Sequence, residues 1–297
     1  MNIRLHVALA SALFSAAAVV AQSPQNVVAG LTGAGAPLAM HGYDPVGYFT
    51  AGLPTLGSAK FTAKHGGVAY RFVSEANMTA FQKSPSSYLP QFGGFCAFGV
   101  TVNKKFDGDP RVFAVVDGKL YFNLNPDIQG MWNKDVPGNI RKAEGNWGKL
   151  RTMRAHEMLR QNTINTSSSL TAAGAPLAMH GYDPVGYFVA GMPTVGSAKF
   201  TAKHGEAAYR FASAANMKAF EANPDAYLPQ FGGFCAFGAS VGKKFDGDPR
   251  VFAVVDGKLY FNLNPEIQAM WNKDVPGNIA KATKQWSKIR DKAVAEL

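Results

Sequence analysis

The two cysteines of this 297-residue chain, Cys96 and Cys235, lie in the same string, Gly-Gly-Phe-Cys-Ala-Phe-Gly. A thiolate is a soft ligand suited to Cu(I) or zinc. A free cysteine among aromatic residues equally fits a small buried hydrophobe. With two thiols, the one intramolecular disulfide open to the chain is Cys96–Cys235. Upstream of each thiol, Met40-His41 and Met179-His180 precede Gly-Tyr-Asp-Pro, placing thioether, imidazole and carboxylate side by side. Methionine with histidine suits copper; an inward methionine beside a hydrogen-bonding turn histidine is the alternative. His65 and His204, each followed by glycine, read as turn residues, and Asp107, Asp109 and Asp117 as aspartates bonding their own turns rather than an acid/base pair. The sequence has no phosphate-binding glycine loop, Gly-x-Ser-x-Gly elbow or His-Glu-x-x-His helix, and no nucleophile, base and oxyanion donor come together in it. The chain therefore reads as a non-enzyme.

The elements that must position these residues occur twice. Residues Leu31–Leu150 return without a gap as Leu170–Ile289, about four positions in five being identical. The shift of 139 residues is the same from Cys96 to Cys235 and from His41 to His180. Repeats this long are a tandem domain duplication rather than a solenoid, and such domains pair about a pseudo-two-fold axis. The reading is residues 31–158 as domain 1 and 170–297 as domain 2, with polar residues 159–169 as linker and 22–30 as an N-terminal linker. Residues 1–21 read as a signal peptide: Arg4, an apolar run from Val7 to Val20, and small residues ending at Ala21. The expected location is the periplasm or outside the cell.

Within a repeat, Tyr43–Phe49 and Ala69–Val73 are β-rich. Ser74 caps a helix ending before Pro85, and Asp117-Gly118 turns a hairpin between Val112–Val116 and Leu120–Asn123. Asn125-Pro126 and Pro137 open two helices. Strands first and helices last give an α+β class, each domain a small antiparallel sheet with a hairpin and C-terminal helices. Hydrophobic residues at 47% and 21 phenylalanines exclude disorder. The net charge of +10 fits contact with an anionic envelope surface, and export argues against nucleic acid.

The blocks GYDPVGYF, HGGVAYRFVSEANMTAFQKSPSSYL, QFGGFCAFG, DGKLYFN and WNKDVPGNI, in that order, resemble the exported form of the YHS-domain proteins of bacterial envelopes. The resemblance covers nearly all of both repeats. It implies an α+β domain related to treble-clef metal modules, and kinship with domains that accompany copper pumps and bind metal through cysteines. Where the short metal-associated forms carry Cys and Met, this chain has Gly47-Tyr48-Phe49 and Gly186-Tyr187-Phe188. Asn77 and Asn216 follow the Phe-x-Ser blocks, in the region where those forms have cysteine.

Two functions follow as expectations. The first is a binder of a soft metal, copper foremost, in envelope metal homeostasis. Cys96, Met40 and His41 would form one site, Cys235, Met179 and His180 its twin, and metal-transport or other envelope proteins the partners. The second is a metal-free scaffold or interaction module, with a small-ligand pocket lined by Phe92, Phe95, Phe98 and Phe113.

Overall fold

The computed structural model describes residues 24–153 and 163–297. The expected signal peptide and the first part of the expected linker lie outside the described residues. The rest is a mixture of helices and β-sheets, and one order of elements occurs in both halves.

In the first half the strands are β1 (Val27–Leu31), β2 (Pro37–Ala39), β3 (Ser58–His65), β4 (Val68–Phe72), β5 (Asp109–Val116) and β6 (Lys119–Asn123). Their counterparts are β7 (Thr166–Leu170), β8 (Pro176–Ala178), β9 (Ser197–His204), β10 (Ala207–Phe211), β11 (Asp248–Val255) and β12 (Lys258–Asn262). The hairpin β5–β6 turns where the sequence predicts. Asp117 and Gly118 have φ of 48° and 71°, the two left-handed residues that a tight hairpin turn needs.

The helices of the first half are α1 (Gly47–Thr50), α2 (Glu75–Lys83), α3 (Ala97–Thr101), α4 (Pro126–Asn133) and α5 (Val136–Leu150), repeated as α6 (Gly186–Val189), α7 (Ala214–Ala222), α8 (Ala236–Ser240), α9 (Pro265–Asn272) and α10 (Val275–Ile289). Their starts are written locally. The side chains of Ser74, Asn125 and Asp135 accept from the amides of Asn77, Ile128 and Gly138, each satisfying an otherwise orphaned N–H. Tyr43–Phe49, expected as a strand, instead leads into α1. Asp44 Oδ1 accepts from Val46 N at 2.8 Å, and this Asx-type turn overrides the β preference of the aromatic residues.

Eight strands form one sheet in the order β3-β4-β2-β1-β7-β8-β10-β9, so the sheet runs through both halves. Its centre is the antiparallel contact of β1 with β7, Val28 opposite Ser167. Both segments expected as linkers thus contribute central strands: β1 starts inside residues 22–30 and β7 inside 159–169. The polar run Thr-Ser-Ser-Ser is buried because its hydroxyls have partners there. Ser168 Oγ accepts from Val27 N at 3.0 Å, Ser167 Oγ from Leu177 N at 3.1 Å, and Ser169 Oγ donates to Asn26 Oδ1 at 2.8 Å. A buried hydroxyl without such a partner would be costly. The pairs β2–β4 and β8–β10 are parallel, a crossover that the strands-then-helices reading did not include.

Each half packs one core around its part of the sheet, with Tyr70, Phe72, Phe81 and Phe122 in the first. A second core lies under the C-terminal helices, where Trp132, Tyr121 and Ala143 meet Trp147. Backbone bonds knit the halves, Asp107 N donating to Leu170 O at 2.9 Å and Asp246 N to Leu31 O at 2.8 Å. Cutting the chain between residues 154 and 162 is accordingly expected to leave the two halves joined. Native size-exclusion chromatography should show one species of unchanged size, and separate half-size fragments would contradict the continuous sheet.

Candidate functional site

Polar chemistry gathers at the seam between the halves. His41 sits in a left-handed turn, with φ of 54° at Met40 and 50° at His41, and its Nε2–H donates to Asp107 Oδ1 at 2.9 Å. Asn26 Nδ2 donates to the same oxygen at 2.6 Å. The second half repeats this with His180, Asp246 and Asn165. The two imidazoles meet edge to face, their centroids 6.4 Å apart.

Around them the charges cross from half to half. Arg71 reaches Asp248 Oδ2 at 2.6 Å, and Arg210 reaches Asp109 Oδ2 at 2.6 Å. Each aspartate is also held by an arginine of its own half. Arg111 donates to both oxygens of Asp109 at 3.0 and 2.9 Å, then extends to Gly196 O at 2.7 Å. Arg250 does the same for Asp248 and Gly57. Burial opposes the negative charge, but Arg210 and the hydrogen bonds of Arg111 overcome it and hold Asp109 below the usual carboxylate range. Asp248 is held down likewise by Arg250 and Arg71. Each arginine and aspartate of the seam lies within 4.0 Å of an oppositely charged group, while among the described residues His41 Nδ1 and the second carboxylate oxygens of Asp107 and Asp246 have no hydrogen-bond partner. The arrangement is a lock.

The thiols are occupied elsewhere. Cys96 Sγ accepts from Gly99 N at 3.3 Å, capping the start of α3, and donates to Asn123 Oδ1 at 3.6 Å. Cys235 does the same with Gly238 and Asn262. Burial pushes both thiols up to about 11, and both are free cysteines. Met40 packs into the core of its half beside Val27 and Tyr70, and Met179 into the equivalent core. Thiol, thioether and imidazole thus face different neighbours. Among the described residues no group of three or more His, Cys, Asp or Glu side chains is arranged to hold a metal ion.

A second feature is a cavity of about 380 Å³ in the first half. Met40, Tyr70, Leu89, Phe92 and Trp147 form its walls, and Arg151 lies at its edge. Pro24, Ser86 and Arg151 are exposed lining residues, so it opens to the surface. Of the four phenylalanines expected around a pocket, Phe92 lines this one. Phe95 packs on Trp147 and Phe113 on Tyr48, while Phe98 joins the core under the helices. The N-terminal segment crosses one wall so closely that a Cβ on Gly93 would collide with the carbonyl of Pro24.

Sequence reasoning missed Arg71, Arg210 and the reach of Asp107 and Asp109 across the seam. Their identity in both repeats was the available signal, diluted by the many other identical positions. Compared with models of protein families, with curated proteins and with solved structures, the chain finds no match.

Replacing Arg71 by Ala is expected to cost about 3 kcal/mol, as removal of one partner from a buried ion pair does, read as the shift in urea denaturation. The paired change Arg71→Met with Asp248→Leu should cost less than the single one. Folded-state pKa values depressed at Asp109 and Asp248 contribute stability that is full above the unfolded value of about 4. That stability is lost as pH falls through the folded values, so melting temperature should decline steeply only on the acid side of pH 4. Buried, protonated thiols should resist iodoacetamide at pH 7.5 and both react after denaturation. Rapid labelling of the folded protein would contradict the capping geometry.

Proposed function

We propose that the chain is an exported, non-enzymatic binding protein, built as two homologous YHS-like domains, that takes up a small ligand with an apolar body in the cavity of its first half. The observation that carries this reading is the cavity itself. Its lining mixes Met40, Tyr70, Leu89, Phe92 and Trp147 with polar Gln25, Ser86, Gln91 and Arg151, a combination that can bury an apolar body and orient a polar end. The seam lock supports it by supplying a rigid frame, because residues on fixed elements hold a pocket's shape better than mobile loops do.

The copper reading of Cys96, Met40 and His41, with Cys235, Met179 and His180 as its twin, asks three donors to converge on one ion. It also asks a thiol raised by burial to lose its proton. The neighbours of these side chains favour the cavity over the metal. Envelope proteins and the anionic envelope surface remain the partners consistent with an exported basic chain.

The neutral fluorophore N-phenyl-1-naphthylamine is expected to bind the full chain saturably, with quenching of tryptophan emission by energy transfer. Leu89→Trp, which fills the cavity from its wall, should abolish that binding while the melting temperature stays within a few degrees. Unchanged binding in a folded Leu89→Trp variant would remove the cavity from the proposal. A Cu(I) titration against a competing chelator separates the metal reading, which needs tight uptake that disappears in the Cys96→Ser, Cys235→Ser double variant.

A further inference from the structure

We infer that the cavity selects an organic anion, an aromatic carboxylate or sulfonate in class, and that the duplication has kept this anion site in the first half only. The inference rests on the proposed cavity function and adds the ligand's charge and its number per chain.

The anion-binding group is Arg151. It follows α5 directly and lines the cavity together with Trp147, one helical turn before it. Among the described residues that guanidinium has no hydrogen-bonding or ionic partner. Its backbone carbonyl is used, accepting from Lys105 Nζ at 3.2 Å, and this bond helps fix where the side chain starts. An exposed guanidinium on a cavity that also has aromatic walls offers a planar, charge-assisted donor set for a carboxylate or sulfonate. The aromatic part of the same molecule would then face Phe92, Tyr70 and Met40.

The second half carries the same arginine in a different setting. Arg290 is the counterpart of Arg151 by the 139-residue shift, and its Nε donates to Asp291 at 3.2 Å. The residue equivalent to Asp291 in the first half is the uncharged Thr152. Two other lining positions change in the same sense. Ser86, at the rim, is replaced by exposed Asp225, which repels an anion. Gln25 is replaced by Ile164, which packs into the core containing Met179 and Tyr209, the equivalents of lining residues Met40 and Tyr70. Three differences thus act together: one neutralises the arginine, one adds like charge, and one turns an apolar side chain toward the wall. In a pair of repeats this similar, that grouping separates one binding half from one non-binding half.

The test uses the purified full chain with 8-anilinonaphthalene-1-sulfonate as anionic probe and N-phenyl-1-naphthylamine as its neutral analogue. The anionic probe is expected to bind at one equivalent per chain, with affinity that falls as salt is raised. Arg151→Gln should weaken it about three- to tenfold, the range for a partly exposed charge-assisted contact, and leave the neutral probe unchanged. Arg290→Gln should alter neither. Thr152→Asp and Ser86→Asp, which give the first half the acids of the second, should each mimic Arg151→Gln in charge selectivity. Because all four positions are exposed, folding is expected to be retained, and thermal melts check it. Two equivalents of anionic probe, or equal loss of both probes in Arg151→Gln, would overturn the inference. Neutral-probe binding that disappears in Leu89→Trp while Arg151→Gln has no effect on the anion would refute the charge selection and leave the cavity reading standing. Insensitivity of both probes to Leu89→Trp would refute the two together.

Discussion

The crossed ion pairs at the centre, Arg71 with Asp248 and Arg210 with Asp109, are the constraint on which the rest depends. Each arginine is almost wholly buried, and each finds its carboxylate in the other half. A buried guanidinium deprived of that carboxylate would bear an uncompensated desolvation cost. The sheet gives the same result in backbone terms, since β1 and β7 are each an edge until they meet. Charge pairing and strand pairing therefore impose one arrangement, and the hydroxyls of Ser167, Ser168 and Ser169 fit it because they complete the hydrogen bonds of that seam.

The seam and the cavity are linked through adjacent residues. Met40 faces the cavity while His41, next in the chain, faces the seam. Gln25 lines the cavity while Asn26 binds Asp107. The left-handed backbone at Met40 and His41 is what lets neighbouring side chains serve different sites. A ligand wall is thereby mounted on the same short segments that hold the halves together, and the cavity inherits the rigidity of the lock.

Local signals in the sequence were legible and long-range ones were not. Ser74, Asn125 and Asp135 mark helix starts because a cap is decided by residues a few positions apart, and Asp117-Gly118 marks its turn for the same reason. Aromatic company grouped Phe92, Phe95, Phe98 and Phe113 around one pocket, yet of the four Phe92 lines the cavity, because composition does not say which way a ring faces. The run TSSSL, by contrast, reads as linker in isolation, since its burial depends on partners about 140 residues away. Asp107 reads as a turn aspartate for the same reason: its partners His41 and Asn26 lie 66 and 81 residues away. The cysteines show a different limit. Chemistry makes a thiol a ligand candidate, and only its environment, an amide on one side and a helix start on the other, gives it a capping role.

The outer strands β3 and β9 lie at opposite ends of one sheet and have the same sequence, Ser-Ala-Lys-Phe-Thr-Ala-Lys-His. A symmetric sheet with two equivalent rims has no natural last strand: if one rim could accept another molecule, so could the other, and growth would be open-ended. Lys60 and Lys64 on one rim, and Lys199 and Lys203 on the other, are exposed, and an incoming identical rim would set like charges against one another. The duplication that closed the middle of the sheet thus left it the geometry of a fibre segment, and four lysines stand where that fibre would have to grow.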